Sequence, residues 1–219
     1  MSFYPSYKKQ FSSLSSREKE ILRKIPYLKE IDGWLLLKES TQLFKIASNL
    51  RDRPIVCEIG VWKGKSSYVL SSAIKNKDGK LYSIDPFNGA GDRISKIIYK
   101  KEMGLLDKSL RGNFQDMIKK YELSDIIEMI PKTSDNALKF FKEKTIDLLF
   151  IDGNHDYDSV KRDYINWSKF IPVGGKIVIH DVLAHHVDGP RRVFDEIIST
   201  KIWGKSRIIG EMGVATRLK

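Results

Sequence analysis

The sequence predicts a doubly wound α/β fold: a mostly parallel seven-stranded sheet, a C-terminal antiparallel hairpin and an N-terminal helical cap. Three observations predict it. After residue 50, short apolar runs alternate with helical patterns. The runs are continuous and β-branched, as strands buried on both faces require. Two last runs, on either side of Glu211, are spaced as a hairpin on the sheet edge.

Taken in order, residues 1–50 form the cap. "SSREKEILRKI" opens with serines and an early acid, the chemistry of a helix start. "GWLLLKESTQLFKIASNL" supplies a second helix that packs on the sheet. Residues 51–219 are the ligand-binding domain. "PIVCEIG" (54–60), "KLYSID" (80–85), "DIIEMIP" (125–131), "IDLLFID" (146–152) and "GKIVIHD" (175–181) are its five buried strands. Helical patterns cover 65–76, 107–122, 134–143, 158–170 and 190–200. In the fourth, Val160, Tyr164 and Trp167 recur at helical spacing and form a core-facing stripe. Strand–helix alternation implies right-handed crossovers and a parallel sheet. Residues 86–106 are longer than an ordinary connection and are expected to be a functional loop.

Composition sets bounds. The chain has 219 residues, 41% hydrophobic and 31% charged, which suits a globular core. No apolar run approaches the roughly 18 residues of a membrane span. The N-terminus lacks the apolar core of a secretory signal. Cys57 is the single cysteine, so an intrachain disulfide and a cysteine zinc site are excluded. A cytoplasmic setting is expected. The net charge of +11 is spread along the chain with no basic, aromatic-rich block. That argues against a nucleic-acid partner without excluding one. A homo-oligomer is allowed.

In an open parallel sheet, ligands bind beyond the carboxyl ends of the strands. Four strand ends carry an acid: Glu58, Asp85, Asp152 and Asp181. "VCEIGVWKGKSS" reads as strand, tight turn, helix. Trp62 stands where a dinucleotide turn would have its middle glycine, so a pyrophosphate is poorly served. Ile59 stands where a P-loop would have its first glycine. A ligand without phosphates fits better. Glu58 can accept from an ammonium group, and the N–H groups of the turn can receive a carboxylate. Those two demands describe an amino-acid moiety. Gly60, Gly64 and Ser66 complete this candidate set. Asp85, about 20 residues on, can accept from two ribose hydroxyls. Thr133 and Ser134 follow the third strand, where Ser134 is expected to cap the next helix.

"CEIGVWKGKSS", "SIDPF", "LLFIDGNHDYDSVKRDYINW" and "VGGKIVIHDV" together resemble the Rossmann-like class I S-adenosylmethionine-dependent methyltransferases. The likeness is to their small-molecule O-methyltransferase branch, which includes sugar and macrolide-sugar enzymes and relatives of the cephalosporin hydroxylase type. It covers about residues 50–200. The resemblance implies that Glu58 and Gly60 hold the methionine end of S-adenosylmethionine, Asp85 the ribose, and Thr133 and Ser134 the adenine border. It also implies a small-molecule acceptor bearing a hydroxyl, such as a sugar or glycosylated metabolite.

All four histidines, His155, His180, His185 and His186, follow the fourth or fifth strand. Adjacent strand ends bring Asp152 near His180 and Asp181. Two converging carboxylates repel unless a cation lies between them. Mg²⁺ or Mn²⁺ is the natural candidate. Asp152, His180 and Asp181 are the candidate ligands, with Asp152 also in the cofactor set. His155 and His180 are the candidate bases, each also a possible third ligand. His155 could equally stabilise its own loop, Tyr157 could stack on a substrate or on protein, and His185 and His186 could line an entrance or be exposed. Two other readings stay open. One is an RNA methyltransferase, although the N/D-P-P-Y/F motif of exocyclic base-nitrogen enzymes is missing from "IDGNHDY". The other is a hydroxylase-like, non-methylating relative of the same fold.

Overall fold

A computed structural model describes residues 5–91, 95–141 and 145–219. Among them are seven strands in one sheet: β1 (Ile55–Ile59), β2 (Lys80–Ile84), β3 (Ile127–Ile130), β4 (Leu148–Ile151), β5 (Lys176–Ile179), β6 (Trp203–Ile209) and β7 (Met212–Arg217). Their order is β3-β2-β1-β4-β5-β7-β6. The first five are parallel, while β7 runs antiparallel to β5 and β6 antiparallel to β7. The order reverses between β1 and β4, and a crevice opens where neighbouring connections leave to opposite faces.

The side chains alternate as strand geometry requires. Val56, Leu81, Leu148, Phe150, Val178 and Val214 enter one core. There they meet α3 (Leu37–Ser48), α4 (Lys65–Ile74) and α6 (Leu110–Lys120). Cys57, Tyr82, Leu149, Ile151 and Ile177 enter the other core. Its cover is α7 (Ser134–Ala137), α8 (Tyr157–Ser168) and α9 (Gly189–Ser199). Trp167 is fully buried and meets Phe141 edge-to-face at 4.8 Å. A ring so buried contributes roughly 1.5–3 kcal/mol, which is why the α8 stripe was legible.

Two further helices, α1 (Tyr7–Ser12) and α2 (Ser16–Leu22), precede α3. Ser15 and Glu18 form a capping box at the start of α2. Leu14, Leu22, Ile25, Leu28, Leu43 and Ile46 join the first sheet core. The segment around 86–106 is more ordered than a loop: α5 (Ser95–Met103) lies within it. The helical pattern at 134–143 gives only α7 and a 3₁₀ turn at Leu138–Phe140, and its last two positions lie outside the described residues. No described helix is long and apolar enough to cross a membrane.

Candidate active site

Beyond β1 and β4 lies a cavity of about 1040 Å³. Its walls include the glycine turn, α5 and residues 32–36, and Asp152, His155, His180 and Asp181 reach it together. The strand parity explains part of this set. Glu58, Asp152 and His180 continue the alternation of Val56, Phe150 and Val178, so they leave their strands on the α3–α4 face.

Gly60 has φ 87°, and a Cβ there would lie 2.0 Å from the carbonyl oxygen of Asp152. The residue is glycine so that the β1 turn can close against the end of β4. Trp62, at φ 51°, holds a left-handed conformation that glycine favours. It stacks on Trp34 at 5.2 Å and tilts against Tyr99 at 4.5 Å. Lys63 bridges Asp32 (2.5 Å) and Glu102 (2.6 Å), joining the cap, the turn and α5.

Asp85 is spent differently from expectation. Its Oδ2 accepts from the N–H groups of Val61 (2.9 Å) and Trp62 (3.2 Å), and Oδ1 accepts from Phe87 (2.6 Å). The N–H of Gly60 donates to Ile84, and that of Gly64 to Val61. The turn amides of Gly60, Val61, Trp62 and Gly64 are therefore engaged within the chain. The amides at the start of α4 remain, where no side chain caps the helix. Ser66 lies in that first turn and lines the cavity. Any ribose contact of Asp85 uses the lone pairs its backbone donors leave.

Glu58 is fully buried. Its Oε2 accepts from Ser67 and Ser83, the latter at 3.1 Å, while Oε1 has no hydrogen-bond partner among the described residues. Burial pushes its pKa up to about 7, against the hydroxyls of Ser66, Ser67 and Ser83. Thr133, not Ser134, caps α7, its Oγ1 accepting from Asn136 at 3.4 Å. Ser134 instead donates to Asp163 at 2.5 Å.

On the other side, Asp152, His155 and Asp181 place a ligand atom each within 4.8 Å of one another. His155 Nε2 is 3.1 Å from Asp181 Oδ2 and 3.9 Å from Asp152 Oδ1. His155 Nδ1 lies 3.5 Å from Ser95 Oγ, at the start of α5. His180 is 4% exposed, with Nδ1 3.3 Å from an oxygen of each acid. That Nδ1 is buried and makes no aligned hydrogen bond among the described residues. Burial opposes protonation of His180, yet Asp152 and Asp181 outweigh it and raise the pKa well above the ordinary range. Burial likewise opposes ionisation of Asp181, and the His180 charge outweighs it and depresses the carboxyl. Asp181 holds φ 59°, a strained backbone that recurs at functional sites.

The four strand-end acids thus divide. Asp152 and Asp181 face the cavity, whereas Glu58 lies in the core beneath it and Asp85 braces the turn. His186 lines the cavity and His185 is exposed. Tyr157 packs on protein: its hydroxyl donates to Glu196 at 2.7 Å, under Arg192 at 4.1 Å. Sequence reasoning missed Trp34, Lys63, Ser95, Tyr99 and Glu39. For Glu39 a signal existed: it shares the buried face of α3 with Leu43 and Ile46.

The groups present suit two ligands. The two carboxylates and the His155 imidazole suit a hard divalent ion. The unpaired Oε1 of Glu58 and the uncapped α4 suit an ammonium and a carboxylate.

A family described as "Methyltransferase domain" matches residues 57–182. Uncharacterized protein R132 of Acanthamoeba polyphaga mimivirus is 33% identical over 146 residues, 63% of this chain and 58% of its own length. The chain therefore spans less than two thirds of that curated relative. The O-methyltransferase NovP superposes with a TM-score of 0.66 at 18% identity, covering 84% of this chain and 81% of its own. TomG, an O-methyltransferase of Streptomyces achromogenes involved in tomaymycin synthesis and solved with SAM, gives 0.63 at 16%, covering 95% and 94%. A Bacillus cereus O-methyltransferase solved with SAH gives 0.61 at 16%, covering 94% and 92%. At these identities the likeness is one of fold.

Proposed function

Because the chain belongs to the methyltransferase-domain family, we propose that it moves the methyl group of S-adenosylmethionine onto a hydroxyl of a small molecule, a sugar or glycosylated metabolite. The observation that carries this is the meeting of Asp152, His155 and Asp181 at the wall of the 1040 Å³ cavity beside the glycine turn. The donor brings an activated methyl. The protein must align an oxygen with it and remove the proton of that oxygen. Alignment alone lowers a barrier by roughly 7–11 kcal/mol.

On the donor side, Glu58 Oε1 accepts from the ammonium and the first turn of α4 takes the carboxylate. Asp85 serves the ribose, and Thr133 and Ser134 border the adenine. On the acceptor side, Asp152, His155 and Asp181 would hold Mg²⁺ or Mn²⁺, with His180 set against both acids. Such an ion, when bound, lowers the pKa of the acceptor hydroxyl and orients it. The 3.1 Å contact between His155 and Asp181 also supports a metal-free form. There Asp181 orients His155 as a general base, a role worth about 10²–10⁴-fold.

The test has two parts. Calorimetry should show saturable S-adenosylmethionine binding, and mass spectrometry should show methylated products from a panel of hydroxylated sugars and glycosides. No binding, or binding without transfer to any hydroxyl, overturns the proposal. Activity that survives EDTA but is lost in His155→Ala and kept in His180→Ala assigns His155 as the base, whereas activity lost to EDTA and restored by Mn²⁺ assigns the ion.

A further inference from the structure

Glu39 lies outside the matched segment 57–182, yet it reaches the acid–histidine cluster. It is 1% exposed and comes from α3. Its Oε2 accepts from the N–H of Leu36 at 2.9 Å, and its Oε1 from the N–H of Glu211 at 2.7 Å. His180 Nε2 lies 3.3 Å from the same Oε2. Leu36 has no side-chain oxygen with which to return the bond, so this is half of a capping box. Both backbone partners are donors, and a carboxylate only accepts. His180 Nε2 must therefore be the donor in the third contact. With Nε2 spent on Glu39, the Nδ1 edge alone is left to meet Asp152 and Asp181.

We propose that Glu39 is a positioning residue, whose carboxylate fixes the His180 ring so that Nδ1 spaces the two acids at the methyl-acceptor site. The chain of contacts runs from Glu39 to His180 and from His180 to Asp152 and Asp181, two steps from the cap to the cavity wall. In general a carboxylate that orients a metal-ligating histidine is worth about 10–100-fold in metal affinity, and here the oriented histidine acts one place further out, on the two acids that would be the ligands. The metal part of the proposal rests on the function proposed above, but the orientation of the ring does not. The contact to Glu211 adds the β6–β7 turn to the same anchor.

The experiment uses the full chain, with Mn²⁺ as the probe and loss of its free electron-paramagnetic signal as the readout. Glu39→Gln keeps the shape but sets an NH₂ against a donor. It should weaken Mn²⁺ about 10–100-fold while S-adenosylhomocysteine affinity stays within about twofold. His180→Ala should cost a similar factor, and the double variant no more than the worse single one, because the two act in series. Wild-type Mn²⁺ affinity in Glu39→Gln, or additive losses, overturns the proposal. If the wild type itself binds no Mn²⁺, the metal reading fails and ¹⁵N NMR of the imidazoles decides the rest. His180, identified by its absence from His180→Ala, should carry its proton on Nε2 in the wild type. An unprotonated Nε2 overturns the proposal, and this measurement needs no Glu39 variant to fold.

Discussion

The two sides of the crevice use their acids in opposite ways. On the β1–β2 side, Asp85 takes three backbone N–H groups and Glu58 is wrapped by serine hydroxyls. These carboxylates shape a turn, and their partners are local. On the β4–β5 side, Asp152 and Asp181 face each other and two histidines. Among the described residues, no backbone N–H donates to either of these carboxylates. One side is built to hold a shape, and the other sets ionisable side chains against one another where a reaction can use them.

The largest expected effect tests the second side. Asp181→Ala should lower methyl transfer by about 10²–10⁴-fold while donor affinity changes little. Equal losses in both would erase the contrast. Next, Asp85→Asn puts an NH₂ among backbone donors and costs about 1.5–3 kcal/mol, a roughly 10–100-fold weaker donor by calorimetry, with turnover at saturation nearly kept. Third is pH. The Glu58 pKa rises from 4.5 to about 7 in the fold. For a raised acid, the associated stability is present below its ordinary range and lost as pH climbs through about 7. A cationic donor reverses that penalty, so its affinity should rise about tenfold from pH 6 to 8. Asp163, at about 6, and Glu211, at about 7, are raised too, so a flat profile in Glu58→Gln is what isolates the effect. Smallest is Lys63→Met. Its partner Asp32 is largely exposed, so the loss should stay within about 1 kcal/mol and shrink with salt. A larger loss would mean that the tie across the entrance dominates the donor side.

Legibility followed the same division. β1, β2, β4 and β5 could be read because they are buried on both faces, and Trp167 marked α8 for the same reason; the edge strand β3 keeps an exposed Glu128 and β6 is mostly exposed. α5 could not be read: Ile97 is 72% exposed and Leu105, just beyond it, 78%. Their apolar surface lines a cavity and not a core, so no helical stripe announces them. The cap of α7 was misassigned by one position because threonine and serine offer the same hydroxyl. Asp152 and Asp181 were visible as strand-end acids. Glu39 was not placed, because its contacts lie 141 and 172 residues away in sequence. A buried acid on an apolar helix face announces a partner but not which one. The division of labour among the four acids was also hidden, since it depends on which side chains the turn consumes.

Trp34 and Trp62 sit together at the cavity, whereas Trp167 and Trp203 are buried in the opposite core. With two stacked indoles at the entrance and two shielded ones elsewhere, the protein carries an optical reporter beside a steady reference. A molecule entering should quench or shift the emission of the first pair and alter its coupled near-ultraviolet dichroism, while the second pair glows unchanged. Occupancy can then be followed in real time, without a label and before any product is known.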